Sequence, residues 1–150
     1  MKHSKLNFKV YLFALFLALI TVGIIMFFFR SDSKTNQKNL EYISSFGWEV
    51  NEKPEEIVRL TIPDTFDTVY NAYNDLGKTG GFNLDLYKGL GATRYSYRVL
   101  NHINSSNGLI RINLFLVKGK IATAFICSLE PAGFVSPISD TSGLVSYHNN

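Results

Sequence analysis

The sequence predicts an α+β protein: an N-terminal transmembrane helix, then a small domain with two helices packed on one face of an antiparallel sheet, in the order α-β-β-α-β-β-β. Three observations predict it. Residues 10–29, VYLFALFLALITVGIIMFFF, carry no charge and no proline. Downstream, stretches that alternate apolar and polar residues signal half-buried strands, and two stretches repeat at helical spacing. The strands are grouped together rather than alternating one by one with helices, which separates α+β from α/β.

Twenty apolar residues rising about 1.5 Å each span roughly 30 Å, the thickness of a bilayer hydrocarbon core. The run is longer than the apolar stretch of a secretory leader and ends in Phe27, Phe28, Phe29 and Arg30, which do not form a small-residue cleavage site. An uncleaved signal anchor is therefore expected. Lys2, Lys5 and Lys9 precede it with no acid among them, so the positive-inside rule places residues 1–9 in the cytoplasm and the remainder outside the cell membrane. Ala14 and Ala18 form a small-xxx-small pair able to seat a second helix.

Residues 30–37, RSDSKTNQ, read as a polar linker, and the extracytoplasmic α+β domain is expected over 38–130. Its first helix places Leu40, Ile43 and Phe46 on one side, and Gly47 supplies the positive φ that commonly ends a helix. Trp48 and Val50 flank Glu49 in a short strand, with the indole expected in the core where helix meets sheet. Next, Glu56, Val58, Leu60 and Ile62 alternate with Ile57, Arg59 and Thr61. Pro63 closes that strand, and Asp64 or Thr65 can cap the second helix. There Phe66, Val69, Tyr70, Tyr73 and Leu76 form an apolar stripe opposite Asp67, Asn71, Asn74 and Asp75. The third strand sets Thr93, Tyr95, Tyr97 and Val99 against Arg94, Ser96 and Arg98. A turn at Asn107-Gly108 leads to strands over 109–117 and 120–129, joined tightly through Lys118-Gly119. The Gly-, Pro- and Ser-rich residues 131–150 are expected to form a loose tail.

Charge and composition exclude several functions. The net charge is +3, and the three N-terminal lysines account for it; the rest balances at twelve bases and twelve acids. A nucleic-acid partner would need a basic surplus on the folded domain. The charges are nonetheless segregated: residues 39–87 hold nine acids and three bases, and 88–129 hold six bases and no acid. Cys127 is the single cysteine, so no internal disulfide forms. The histidines His3, His102 and His148 are scattered and have no partners at metal-ligand spacing; no metal or cofactor is expected. Residues 77–79, GKT, end a helix instead of opening one, and Ala72 stands where a phosphate-binding loop needs its first glycine. Asn104-Ser105-Ser106 matches a glycosylation sequon that a hairpin turn explains. No catalytic constellation is visible; a hydrolase would have to bring His102 to Cys127.

The candidate binding residues are Arg94, Arg98 and Arg111, which are expected to share one exposed sheet face. A guanidinium fork suits a carboxylate or phosphate, so an anionic headgroup, an anionic envelope polymer or an acidic partner protein could dock there. The bland alternative pairs these arginines with Glu55 or Glu56.

The blocks YISSFGWEV (42–50), IPDTFDTVYNAYNDL (62–76), GFNLDLYKG (81–89), TRYSYRVLN (93–101), GKI (119–121) and ICS (126–128) resemble those of domain of unknown function 4830, over roughly residues 39–130. Residues 122–125 depart from the Gly-rich, acidic stretch expected at that position. The resemblance implies a clostridial or related Gram-positive cell envelope, often behind one membrane helix, and supplies no catalytic residues. The functional expectation is a single-pass, membrane-anchored, non-enzymatic binding or interaction module, in contact with the bilayer through residues 10–29. A structural subunit of a membrane complex and a small envelope hydrolase are the alternatives.

Overall fold

The structure, a computed structural model, describes residues 8–145. Two compact units divide the chain at Thr35 and Asn36. Lys2, His3, Lys5 and His148, named above, lie outside the described residues, as do the side chains of Phe8, Lys9 and residues 25–32.

The first unit is helical. Helix α1 (Phe8–Ser44) contains both the expected span and the residues 30–37 expected as a linker. Among the described residues no helix is long and apolar enough to cross a membrane, which corrects the expected transmembrane helix. The described apolar side chains run from Val10 to Ile24.

The second unit is built on a five-stranded antiparallel sheet in the order β1-β2-β3-β4-β5. The strands are β1 (Glu56–Thr61), β2 (Gly91–Arg98), β3 (Ile110–Val117), β4 (Lys120–Ser128) and β5 (Val135–Pro137). Each pairs with its sequence neighbour, so the sheet is a meander interrupted between β1 and β2 by helix α2 (Thr68–Thr79) and a 3-10 turn at Leu84–Tyr87. The β3–β4 turn puts Lys118 and Gly119 at φ 49° and 75°, the doubly positive pattern whose twist matches a tight hairpin. The expected short strand at 48–50 reduces to a single bridge, Val50 to Val99.

The two helices cover opposite faces of the sheet, which corrects the expectation that they share one. Ile43, near the end of α1, is buried with Trp48, Tyr97, Val99, Ile112, Leu114 and Ile126, and Leu40 and Phe46 pack against this cluster. The other face collects Ala92, Phe115, Val117 and Phe125 under Phe66, Tyr70 and Tyr73. The contact between α2 and β4 is close: a Cβ on Gly77 would stand 2.7 Å from Thr123 Oγ1. A strand covered on both sides must be apolar on both, and β3 is apart from Asn113, with every residue from Ile112 to Val117 buried.

Helix α2 is capped by Asp67, whose carboxylate accepts from the Tyr70 amide at 2.8 Å, two to three residues later than the caps read from the sequence. Its buried side is also rotated. Val69 is exposed, whereas Asn74 is buried and uses both ends of its amide, accepting from Leu84 N and donating to Asp85. The hydrogen bonds to the following turn offset the burial of that polar group.

Of the residues 131–150 expected as a loose tail, the described ones, 131–145, are part of the fold. They add β5, bury Ile138, and bridge His102 through Leu144. Trp48 is 2% exposed, and its indole N–H donates to Ile138 O at 2.8 Å. Tyr97 anchors the end of α1: its hydroxyl accepts from Asn39 and donates to Asn36, and burial pushes its pKa up to about 12. Trp48→Ala is expected to cost about 3–5 kcal/mol by removing a large core ring. Truncation after Glu130, which removes the indole's acceptor, should also destabilise the domain; urea melts of the variants measure both. A truncated chain as stable as wild type would mean that the C-terminal segment contributes nothing to the core.

Candidate functional site

On the face shared with α2, the helix covers only part of the sheet. Beside it lies an open cavity of about 580 Å³ whose floor is the outer surface of β2, β3 and β4. Antiparallel register decides what that floor contains. Ser96 is opposite Asn113, Asn113 opposite Phe125, and Arg111 opposite Cys127, so these side chains project to the same side. Ser96 Oγ donates to Asn113 Oδ1 at 2.6 Å, and Asn113 Nδ2 donates to Cys127 Sγ at 3.3 Å. A buried polar row therefore crosses three strands beside the apolar side chains under α2.

One wall is apolar, formed by Tyr73 stacked on Phe125 (centroids 4.6 Å apart), Leu129 and Val135. The other is charged. Arg94 pairs with Glu56 and Arg111 with Glu55, each at 2.5 Å. Arg111 Nη1 also donates to the carbonyls of Gly108 and Ile110, which locks its guanidinium in place. The segregated charges in the sequence are thus explained: acids just before β1 and at its start meet bases of β2 and β3 across the sheet.

Of the three arginines singled out by the sequence, Arg94 and Arg111 line this cavity. Arg98 is on the same face, in direct register with Arg111, but outside the lining. The face is not the open surface expected, because α2 stands over part of it. Sequence reading missed the floor. Its signal was one polar residue, Asn113, within the apolar run Ile112–Val117; alternation alone does not say that this asparagine is 7% exposed.

Cys127 and His102 are not brought together. Cys127 is on the cavity floor, whereas His102 lines a separate cavity of about 270 Å³ with Phe134, Ser136 and Asp140. Burial raises the Cys127 thiol pKa, against smaller opposing effects of the Asn113 hydrogen bond and the nearby arginines. That shift disfavours the thiolate, the nucleophilic form. His102 is stacked between Trp48 and Phe134, with Nδ1 accepting from the Asn104 amide. Burial lowers its pKa, opposed by Asp140. The ring is therefore a packing element with its proton on Nε2. Among the described residues no group of three His, Cys, Asp or Glu side chains converges as a metal site.

With this geometry in view, the comparison with family models is decisive for classification. The chain belongs to a family described as a domain of unknown function (DUF4830), matched over residues 42–126. That match takes in the end of α1, both cavity walls as far as β4, and the polar floor up to Phe125. No curated protein and no solved structure matches the chain.

Cys127 should react slowly with a thiol-specific disulfide reagent at neutral pH, by about a hundredfold or more relative to the urea-unfolded chain, because its thiolate is both disfavoured and covered. Equal rates in the folded and unfolded chain would place the sulfur in free solution.

Proposed function

We propose that residues 36–150 form a non-enzymatic binding module that takes a small anionic ligand, or the end of an anionic polymer, in the cavity beside α2. One observation carries this reading: two guanidiniums from neighbouring strands converge on a single concave site with a polar floor and an aromatic wall. Cavities of roughly 300–1,000 Å³ with a few converging polar groups are the usual form of small-ligand sites. Glu55 and Glu56 pair with the arginines, and Glu56, with 55% of its side chain exposed, is accessible enough to be displaced from Arg94. The raised thiol pKa of Cys127 and its separation from His102 favour binding over nucleophilic catalysis.

Oxyanions should therefore raise the unfolding temperature of the full chain, following the mass-action increase in stability for a ligand that binds only the native state. In an Arg94→Gln/Arg111→Gln double variant the increase should vanish. Scanning calorimetry with acetate and inorganic phosphate at constant ionic strength checks this, and an undiminished increase in the double variant rules the reading out.

A lipid surface in the cell envelope is the second element of the proposal. It rests on the side chains from Val10 to Ile24, which are apolar apart from Thr21 and Gly23 and exposed on all sides, an arrangement costly in water. The full chain should float with phosphatidylcholine vesicles on a density gradient, and recovery of the chain at the bottom would count against lipid contact.

A further inference from the structure

We infer that the anion of the ligand is bound at the corner formed by Arg98, Gly108 and Arg111, and that it is a single oxyanion of net charge −1. This inference rests on the proposed binding role of the cavity and assigns the charge and anchor of its ligand.

The argument begins with register. Arg98 and Arg111 are direct partners across β2 and β3, and like charges placed opposite each other in a sheet repel. Both guanidiniums are nevertheless drawn to the same point. Gly108 O accepts from Arg111 Nη1 at 2.6 Å. The Arg98 guanidinium lies against Gly108 itself, where an added Cβ would stand 2.5 Å from Nη2 and 2.7 Å from Cζ. Gly108 has φ 70°, in the left-handed region, so both its missing side chain and its backbone conformation serve this approach.

The partners are unequal. Arg94 is paired with Glu56 and Arg111 with Glu55, whereas the Arg98 side chain makes no hydrogen bond or ion pair among the described residues; the Nε atoms of Arg94 and Arg98 are both buried without a partner. At the corner two cations therefore share one carboxylate, leaving one positive charge uncompensated. A monoanion, such as a carboxylate or a phosphodiester, would bring the corner to neutrality. A dianion would overfill it unless Glu55 were expelled. Arg111 is held by two carbonyls and a carboxylate, and Arg98 is backed by a glycine. The Arg111 donors are thus ordered before the ligand arrives, which reduces the entropy lost on binding. The rest of the ligand would extend over the Ser96–Asn113 floor towards Tyr73.

The test is calorimetric titration of the full chain with acetate, dimethyl phosphate and inorganic phosphate at constant ionic strength. Acetate or dimethyl phosphate should bind more tightly than the phosphate dianion at alkaline pH, and whichever is preferred identifies the oxyanion. Arg98→Gln should weaken binding about tenfold, the scale of one lost charge-assisted hydrogen bond. Arg98→Lys should restore part of it. Glu55→Gln should tighten binding, a gain that a purely structural role for this corner would not produce. Binding unaffected by Arg98→Gln, or preference for the dianion, overturns this assignment while leaving the cavity reading intact. If no anion binds the wild-type chain, both fall.

Discussion

The central strand β3 is the constraint on which the rest of the domain depends. It is covered on one face by the end of α1 and on the other by α2, so its side chains must satisfy two apolar environments at once. Where α2 stops short, that requirement lapses on one face only. Asn113, Ser96 and Arg111 occupy the uncovered part, and their hydrogen bonds and ion pair make it a polar trough instead of an apolar patch. The cavity is therefore a direct consequence of a twelve-residue helix covering a wider sheet.

The same economy governs the other face. Trp48 fills the space between the end of α1 and the sheet, but its indole N–H needs an acceptor once buried. Ile138 supplies it from ninety residues away. Asn101 likewise joins Glu49 N to Gly47 O, tying the chain after α1 to the loop beyond β2. These buried polar contacts convert the C-terminal segment from a compositionally unremarkable tail into the piece that closes the core.

Local features were legible from the residues. The alternation in β1 and β2, the apolar content of β3 and β4, the Lys118-Gly119 hairpin and the Gly47 stop all follow from backbone and side-chain preferences over a few residues. So does the pairing of Arg94 and Arg111 with Glu56 and Glu55, the alternative the sequence offered for these arginines. Less legible were the rotation of α2, where Asn74 is buried and Val69 exposed, and the floor of the cavity. Both depend on hydrogen bonds to residues outside the periodic segment, and periodicity counts apolar positions without knowing which polar ones find partners.

By itself, then, the sequence determined where strands and helices form, because steric and hydrophobic preferences act within a turn or a few residues of strand. It also determined that one side of β2 is aromatic and the other cationic, since successive strand residues must point to opposite faces. Only the tertiary structure decided that the helices take opposite faces, that α2 leaves the arginine side half covered, and that Arg98 is without the glutamate its neighbours have. Those outcomes depend on which distant surfaces meet. A two-residue period distinguishes the faces of a strand but does not say what comes to cover them.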